Sequence, residues 1–158
     1  MRKPKIYLET TMFNYYFDED RDAHADTMKL FKEIQAGKYE AYTSIYVTDE
    51  LIKAEDPKRS NMLALITEYN ITVLPASNEA DNLADVYVSE GIIPQKYRTD
   101  GVHIAVTTVS ELDIIVSMNY EHIVKRKTIL ATGKINNLYG YRVIEIYSPM
   151  EVVENEKT

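Results

Sequence analysis

The sequence predicts an α/β fold of three layers, with helices on both faces of a mostly parallel sheet of about five strands. Two observations predict it. Short apolar runs alternate with stretches of helical spacing along the whole chain. That alternation favours parallel strands joined by right-handed crossovers. And 158 residues, 45% of them hydrophobic, are enough for one domain with a real core, with no linker, repeat or low-complexity tract to divide it.

The elements follow in order. Lys5 to Leu8 is an apolar strand. Met28, Leu30, Phe31 and Ile34 are spaced for a helix from about Ala23 to Ala36, with Gly37 as its C-cap. Tyr39 to Thr43 is a short strand. Ser44 caps a helix through Ala54, and Asp56-Pro57 ends it. Met62, Leu63, Leu65 and Ile66 mark a helix from Ser60 to Tyr69, and Ile71 to Leu74 a strand stopped by Pro75. Ser77 precedes a helix through about Ser89, closed by Gly91. Thr99 to Glu111 has the clearest amphipathic pattern, with Val102, Ala105, Val106, Val109 and Leu112 three or four apart. A strand from Asp113 to Ser117, a helical stretch through about Leu138 and a last strand from Arg142 to Ile146 complete the order. One domain is expected over 1–153 and a disordered tail over 154–158.

Composition narrows the chemistry. Without cysteine there are no disulfides, thiolate zinc sites or cysteine nucleophiles, so a metal would be held by oxygen or by one of three histidines. No apolar run approaches the ~20 residues that span a bilayer, and Met1-Arg2-Lys3-Pro4 leads straight into a strand, so no membrane association and a cytoplasmic location are expected. The net charge of −7 argues against broad adhesion to nucleic acid, although an acidic site itself lowers the total. The thirteen tyrosines are expected mainly at the margin of the core, and the basic cluster Lys125-Arg126-Lys127 on a solvated helix face.

Four positions point to one site. Glu9 closes the apolar run Ile6-Tyr7-Leu8, and Asn119 follows Ile114-Ile115-Val116 after Ser117-Met118. In open α/β sheets ligands bind beyond the carboxyl ends of the strands, which is where both would lie. Of the adjacent acids Asp49 and Glu50, periodicity chooses Glu50, which shares the arc of Tyr46, Val47, Leu51 and Ala54. Asp100 stands in a first helical turn, where free N–H groups keep a carboxylate ionised. Taken singly, each has an ordinary role: a salt bridge from Glu50 to Lys53, a cap for Asp100, a turn for Asn119. His103, one turn after Asp100, could be a second ligand, but between Val102 and Ile104 it is expected to be a packed, hydrogen-bonded histidine. Together the four are expensive to assemble unless a cation or a proton network offsets their repulsion, and hard oxygen ligands suit Mg²⁺ or Mn²⁺.

The stretches KIYLETTMFNYYF, TSIYVTDEL, YRTDGVHIAV, LDIIVSMNYEHIV and INNLYGYRVIEIYSPMEVV resemble, in order and spacing, a PIN domain of the VapC-like toxin ribonucleases. The resemblance covers almost the full length. It implies a PIN-like α/β/α fold, a cluster of acids binding Mg²⁺ or Mn²⁺, cleavage of RNA, a homodimer, and inhibition by a small antitoxin. Carried over by position, Glu9, Glu50 and Asp100 are the acids and metal ligands, Asn119 the fourth polar position, and Thr10 the hydroxyl residue after the first acid. One departure is that the family's first acid is usually aspartate. Glu9 moves the carboxylate by roughly 1.5 Å if the backbone is unchanged, and misplacement of ~1 Å costs a catalytic site on the order of a hundredfold. A PIN domain that only binds RNA or a protein is therefore the alternative, and a small-molecule phosphohydrolase a third.

Overall fold

The computed structural model describes residues 2–157, with side chains through Val153. The strands are β1 (Lys5–Leu8), β2 (Glu40–Ser44), β3 (Thr72–Leu74), β4 (Ile114–Val116) and β5 (Glu145–Tyr147); the helices are α1 (Thr10–Phe17), α2 (His24–Gln35), α3 (Ile45–Ile52), α4 (Lys58–Glu68), α5 (Asn78–Ser89), α6 (Arg98–Val109), α7 (Arg126–Leu138) and α8 (Pro149–Lys157). All strand pairs are parallel, in the order β3-β2-β1-β4-β5. The chain winds outward from β1 through β2 to β3, then crosses back to place β4 on the other side of β1. The switch point therefore lies between β1 and β4, where α/β sheets open a crevice at their carboxyl ends.

Local chemistry accounts for several boundaries. Gly37 and Gly91 take φ of +83° and +75° just past α2 and α5, a conformation a Cβ disfavours. The Ser77 hydroxyl accepts from the Ala80 N–H at 3.1 Å and caps α5. Two helices were not expected from the sequence. α1 starts directly after β1, and its N-cap is Glu9, whose carboxylate accepts from the Thr11 N–H. α8 begins with a capping box: the Glu151 carboxylate accepts from both the N–H and the hydroxyl of Ser148, at 2.9 and 3.0 Å, with Pro149 in the first turn. Val152 and Val153 of α8 are buried, and the helix packs against α2. The side chains of the expected tail, 154–158, lie outside the described residues.

Two expectations need correcting. α6 is not amphipathic in the folded chain, since Gly101 through Thr108 are all buried; α5 covers the side that the sheet does not. The helical stretch after Ser117 begins only at Arg126, because the carbonyl of Asn119 takes the N–H groups of Ile123 and Val124 and its side chain takes that of His122.

Asp113 sits at the opposite, amino end of the sheet. It accepts from the Lys5 N–H at 2.7 Å, from Arg2 at 3.0 and 3.1 Å and from Arg142 at 3.2 Å, tying β4 to the segments before β1 and β5. Burial raises its pKa, but the Arg2 and Lys5 hydrogen bonds and the two arginines hold it below the ordinary 3.8. Both arginines are half-exposed, so most of its contribution is the backbone bond. Asp113→Ala is expected to cost about 1–2 kcal/mol by chemical denaturation at neutral pH. A carboxylate with a depressed folded pKa stabilises above its unfolded value, so the difference from wild type should fade as pH falls through and below the carboxylate range.

Candidate active site

The strand register builds the site. Leu8 pairs with Val116, so Glu9 and Ser117 are the next residues past the carboxyl edge, with the Glu9 N–H bonded to the Val116 carbonyl at 3.2 Å. Glu9 Oε1 accepts from the Ser117 hydroxyl at 2.6 Å and from the Thr11 hydroxyl at 2.5 Å. Each hydroxyl is itself oriented by a backbone donor, Asn119 N–H onto Ser117 and Met118 N–H onto Thr11. Glu9 is 4% exposed. Burial raises its pKa, and His103, Ser117 and Thr11 recover only part of the shift.

β2 runs without a loop into α3, which carries Glu50 to the same edge. Glu50 Oε1 accepts from Thr10 at 3.0 Å and from His103 Nε2 at 2.8 Å. Its partner is thus His103 of α6, more than Lys53, which contributes only a weaker electrostatic attraction. Burial raises the Glu50 pKa, but the hydrogen bond and charge of His103, with Thr10, hold it below the ordinary glutamate value. Asp49 points to solvent, as the periodicity predicted.

Asp100 opens α6 and pairs through Oδ2 with His122 Nδ1 at 3.1 Å. Burial raises its pKa, while the charges of His103 and His122 and a hydrogen bond from Asn119 oppose the rise. The Asn119 amide is used at both ends, its oxygen accepting from the His122 N–H at 3.0 Å and its NH₂ donating to Asp100.

His103 links these parts. It is 1% exposed, with Nε2 on Glu50 and Nδ1 at 2.7 Å from the Tyr7 hydroxyl, which lies 2.7 Å from Ser44. Burial lowers its pKa, yet the Glu50 hydrogen bond and the charges of Glu9, Glu50 and Asp100 together bring it above 6.5. If protonated, His103 donates from both nitrogens, and Tyr7, accepting from it, donates its own O–H hydrogen bond to Ser44. The expectation of a packed, hydrogen-bonded histidine describes it correctly. Its place one turn after Asp100 is legible in the sequence, but its approach to Glu9 and Glu50 had no local signal. The hydroxyl of Thr11, after the first acid, reaches the site as the Thr10-Thr11 pair suggests, whereas His122 and Ser117 were missed.

The fold is that of a known class of proteins. Sequence comparison finds no matching family model and no matching characterised protein. Among solved structures, VapC20 of Mycobacterium tuberculosis, a toxin that cleaves the sarcin-ricin loop, superposes with a TM-score of 0.56 at 12% identity, covering 74% of this chain and 92% of that one. VapBC2 of Rickettsia felis, solved on a DNA fragment from its promoter, gives a TM-score of 0.56 at 11% identity, covering 91% and 98%. The chain has the PIN-domain fold of the VapC type. At such low identity the likeness concerns the fold, and the chemistry is argued from the residues present.

In this PIN fold the three acids converge, yet among the described residues no three histidine, aspartate or glutamate side chains stand ready to grip a cation. Their oxygens are turned to other partners: His103 Nε2 bonds Glu50 Oε1, and Thr11 and Ser117 hold Glu9 Oε1 inward. The donor chemistry still fits Mg²⁺ or Mn²⁺, being carboxylate oxygens with no thiolate nearby. Glu50 and Asp100 are the more accessible pair, and since the hydrogen bonds of Glu9 fall on Oε1, its Oε2 is the oxygen that would join them.

Proposed function

We propose that the protein is a metal-dependent endoribonuclease of the PIN-domain type. One observation carries the reading: carboxylates from three distant elements, Glu9, Glu50 and Asp100, surround a single buried imidazole at the switch point of a VapC-type sheet. Repulsion of that kind is costly to keep without a cationic occupant or a working role.

Glu50, Asp100 and Glu9 would hold Mg²⁺ or Mn²⁺, which supplies Lewis-acid stabilisation of a phosphate and a more acidic water. The chain's own residues prepare the place. Thr10 and His103 orient Glu50, Asn119 and His122 restrain Asp100, and Thr11 and Ser117 keep Glu9 against the sheet edge. His103 balances the negative charge whenever no cation is bound. By the same reading the protein is the toxin of a toxin–antitoxin pair, acts as a homodimer in the cytoplasm and is inhibited by a small antitoxin. No described helix is long and apolar enough to cross a membrane.

A second reading, a PIN domain that binds RNA or a protein without cutting, is favoured by the deep burial and full engagement of Glu9 Oε1. Incubation of a structured RNA pool with Mn²⁺, Mg²⁺ or EDTA separates the two. The nuclease produces fragments in either metal and none in EDTA, whereas folded, inhibitor-free protein that leaves the pool intact throughout supports the binding module.

A further inference from the structure

Tyr97 ends a short 3₁₀ turn, Gln95–Tyr97, three residues before Asp100. Its ring stacks on the His122 imidazole, with centroids 4.1 Å apart and planes 27° from parallel. His122 in turn holds Asp100. With that contact made, Tyr97 still leaves 38% of its surface to solvent, and the Lys96 ammonium lies 5.6 Å from the ring centroid. Tyr120, also exposed, directly follows Asn119 in the same turn as His122.

From that turn the chain enters α7 through Lys125, Arg126 and Lys127, which with Lys134 line one shallow surface groove. Arg2, Arg21, Arg59, Arg98 and Arg142 all pair with aspartates. Among the described residues, these four groove cations are in no such pair. In a chain of net charge −7, four exposed cations lining one groove, close in sequence to the acidic edge, give an anionic partner a place to bind.

We propose that the Tyr97–His122 stack is a platform for an unpaired nucleobase, and that Lys125, Arg126 and Lys127 hold phosphates of the bound strand. The proposal rests on the nuclease reading for the identity of the polymer. An aromatic face accepts any base, but only one freed from its own stack; a duplex offers none.

Binding of a short, end-labelled single-stranded RNA and of the same sequence as a duplex, followed by fluorescence anisotropy in EDTA, tests it without cleavage. Tyr97→Leu should weaken single-strand binding roughly tenfold and leave the duplex unchanged, while Tyr97→Phe stays within about twofold of wild type. Lys125→Ala, Arg126→Ala and Lys127→Ala combined should lower the slope of log affinity against log salt by about two. Unchanged single-strand binding in Tyr97→Leu, or an equal loss on both forms, overturns the platform; an unchanged salt slope overturns the groove. Adding Mn²⁺ to the same samples separates the two claims. The binding pattern without cutting leaves the platform and removes the nuclease, and cutting with Tyr97→Leu binding like wild type does the reverse.

Discussion

Asp100→Asn is expected to lose RNA cleavage roughly 100-fold or more while remaining folded. Removing only the supporting partner of a metal ligand commonly costs on the order of 10- to 100-fold, so loss of a ligand's own charge should cost at least the upper end. The amide preserves shape and keeps one oxygen to accept from His122, while its NH₂ gives up only the hydrogen bond that Asn119 donates to the carboxylate. Burial already acts against the ionised aspartate, so removing its charge should not unfold the chain. Cleavage rates and thermal unfolding measured on the same preparation check both halves. Near-wild-type cleavage by the variant would place the chemistry elsewhere.

His103→Phe is expected to cost about 2–3 kcal/mol of stability in metal-free buffer. It strips the buried counter-charge from three carboxylates and one hydrogen bond from Tyr7; the cost of breaking a buried pair is moderated here because Glu50 is 35% exposed. The sign of the pH dependence follows from the two shifts. His103 has a raised folded pKa, so its contribution is complete below 6.5 and is lost as pH rises through the folded value. Glu50 has a lowered one, so its contribution is complete above 4.5 and is lost as pH falls. The gap between wild type and variant should therefore be widest between those limits and should narrow on either side. Added Mn²⁺ should raise the melting temperature of the variant more than that of wild type, because a cation replaces the missing charge. A pH-independent gap in denaturation midpoints would mean that His103 contributes packing alone.

These residues differ in how legible they are from sequence. Glu9 and Asn119 can be found because each follows a strand that its own apolar run announces, and β/α alternation places both at the ligand-binding edge. Glu50 is separable from Asp49 by helical phase alone, and Asp113 is set apart from the site by its place at the start of its strand. The five strands are readable for the same reason: each is a local run. What escapes is made between distant elements. His103 looks like a core residue because Val102 and Ile104 flank it, and only the packing of α6 against β1 and α3 gives it Tyr7 and Glu50. The broad burial of α6 depends on α5 lying over its outer side. α1 was hidden by chemistry of its own, since glutamate is an uncommon N-cap and the Thr10-Thr11 pair and aromatic residues after it are modest helix formers. α8 was readable after all, in the Ser148-to-Glu151 capping box.

If Glu9, Glu50 and Asp100 share one divalent cation, binding of Mn²⁺ reveals it without reference to any RNA. The free Mn²⁺ signal in electron paramagnetic resonance, titrated with metal-free protein, should fall through one saturable class of site in wild type and through a markedly weaker one in Asp100→Asn. Identical titrations for the two proteins, or no loss of signal with either, would contradict it.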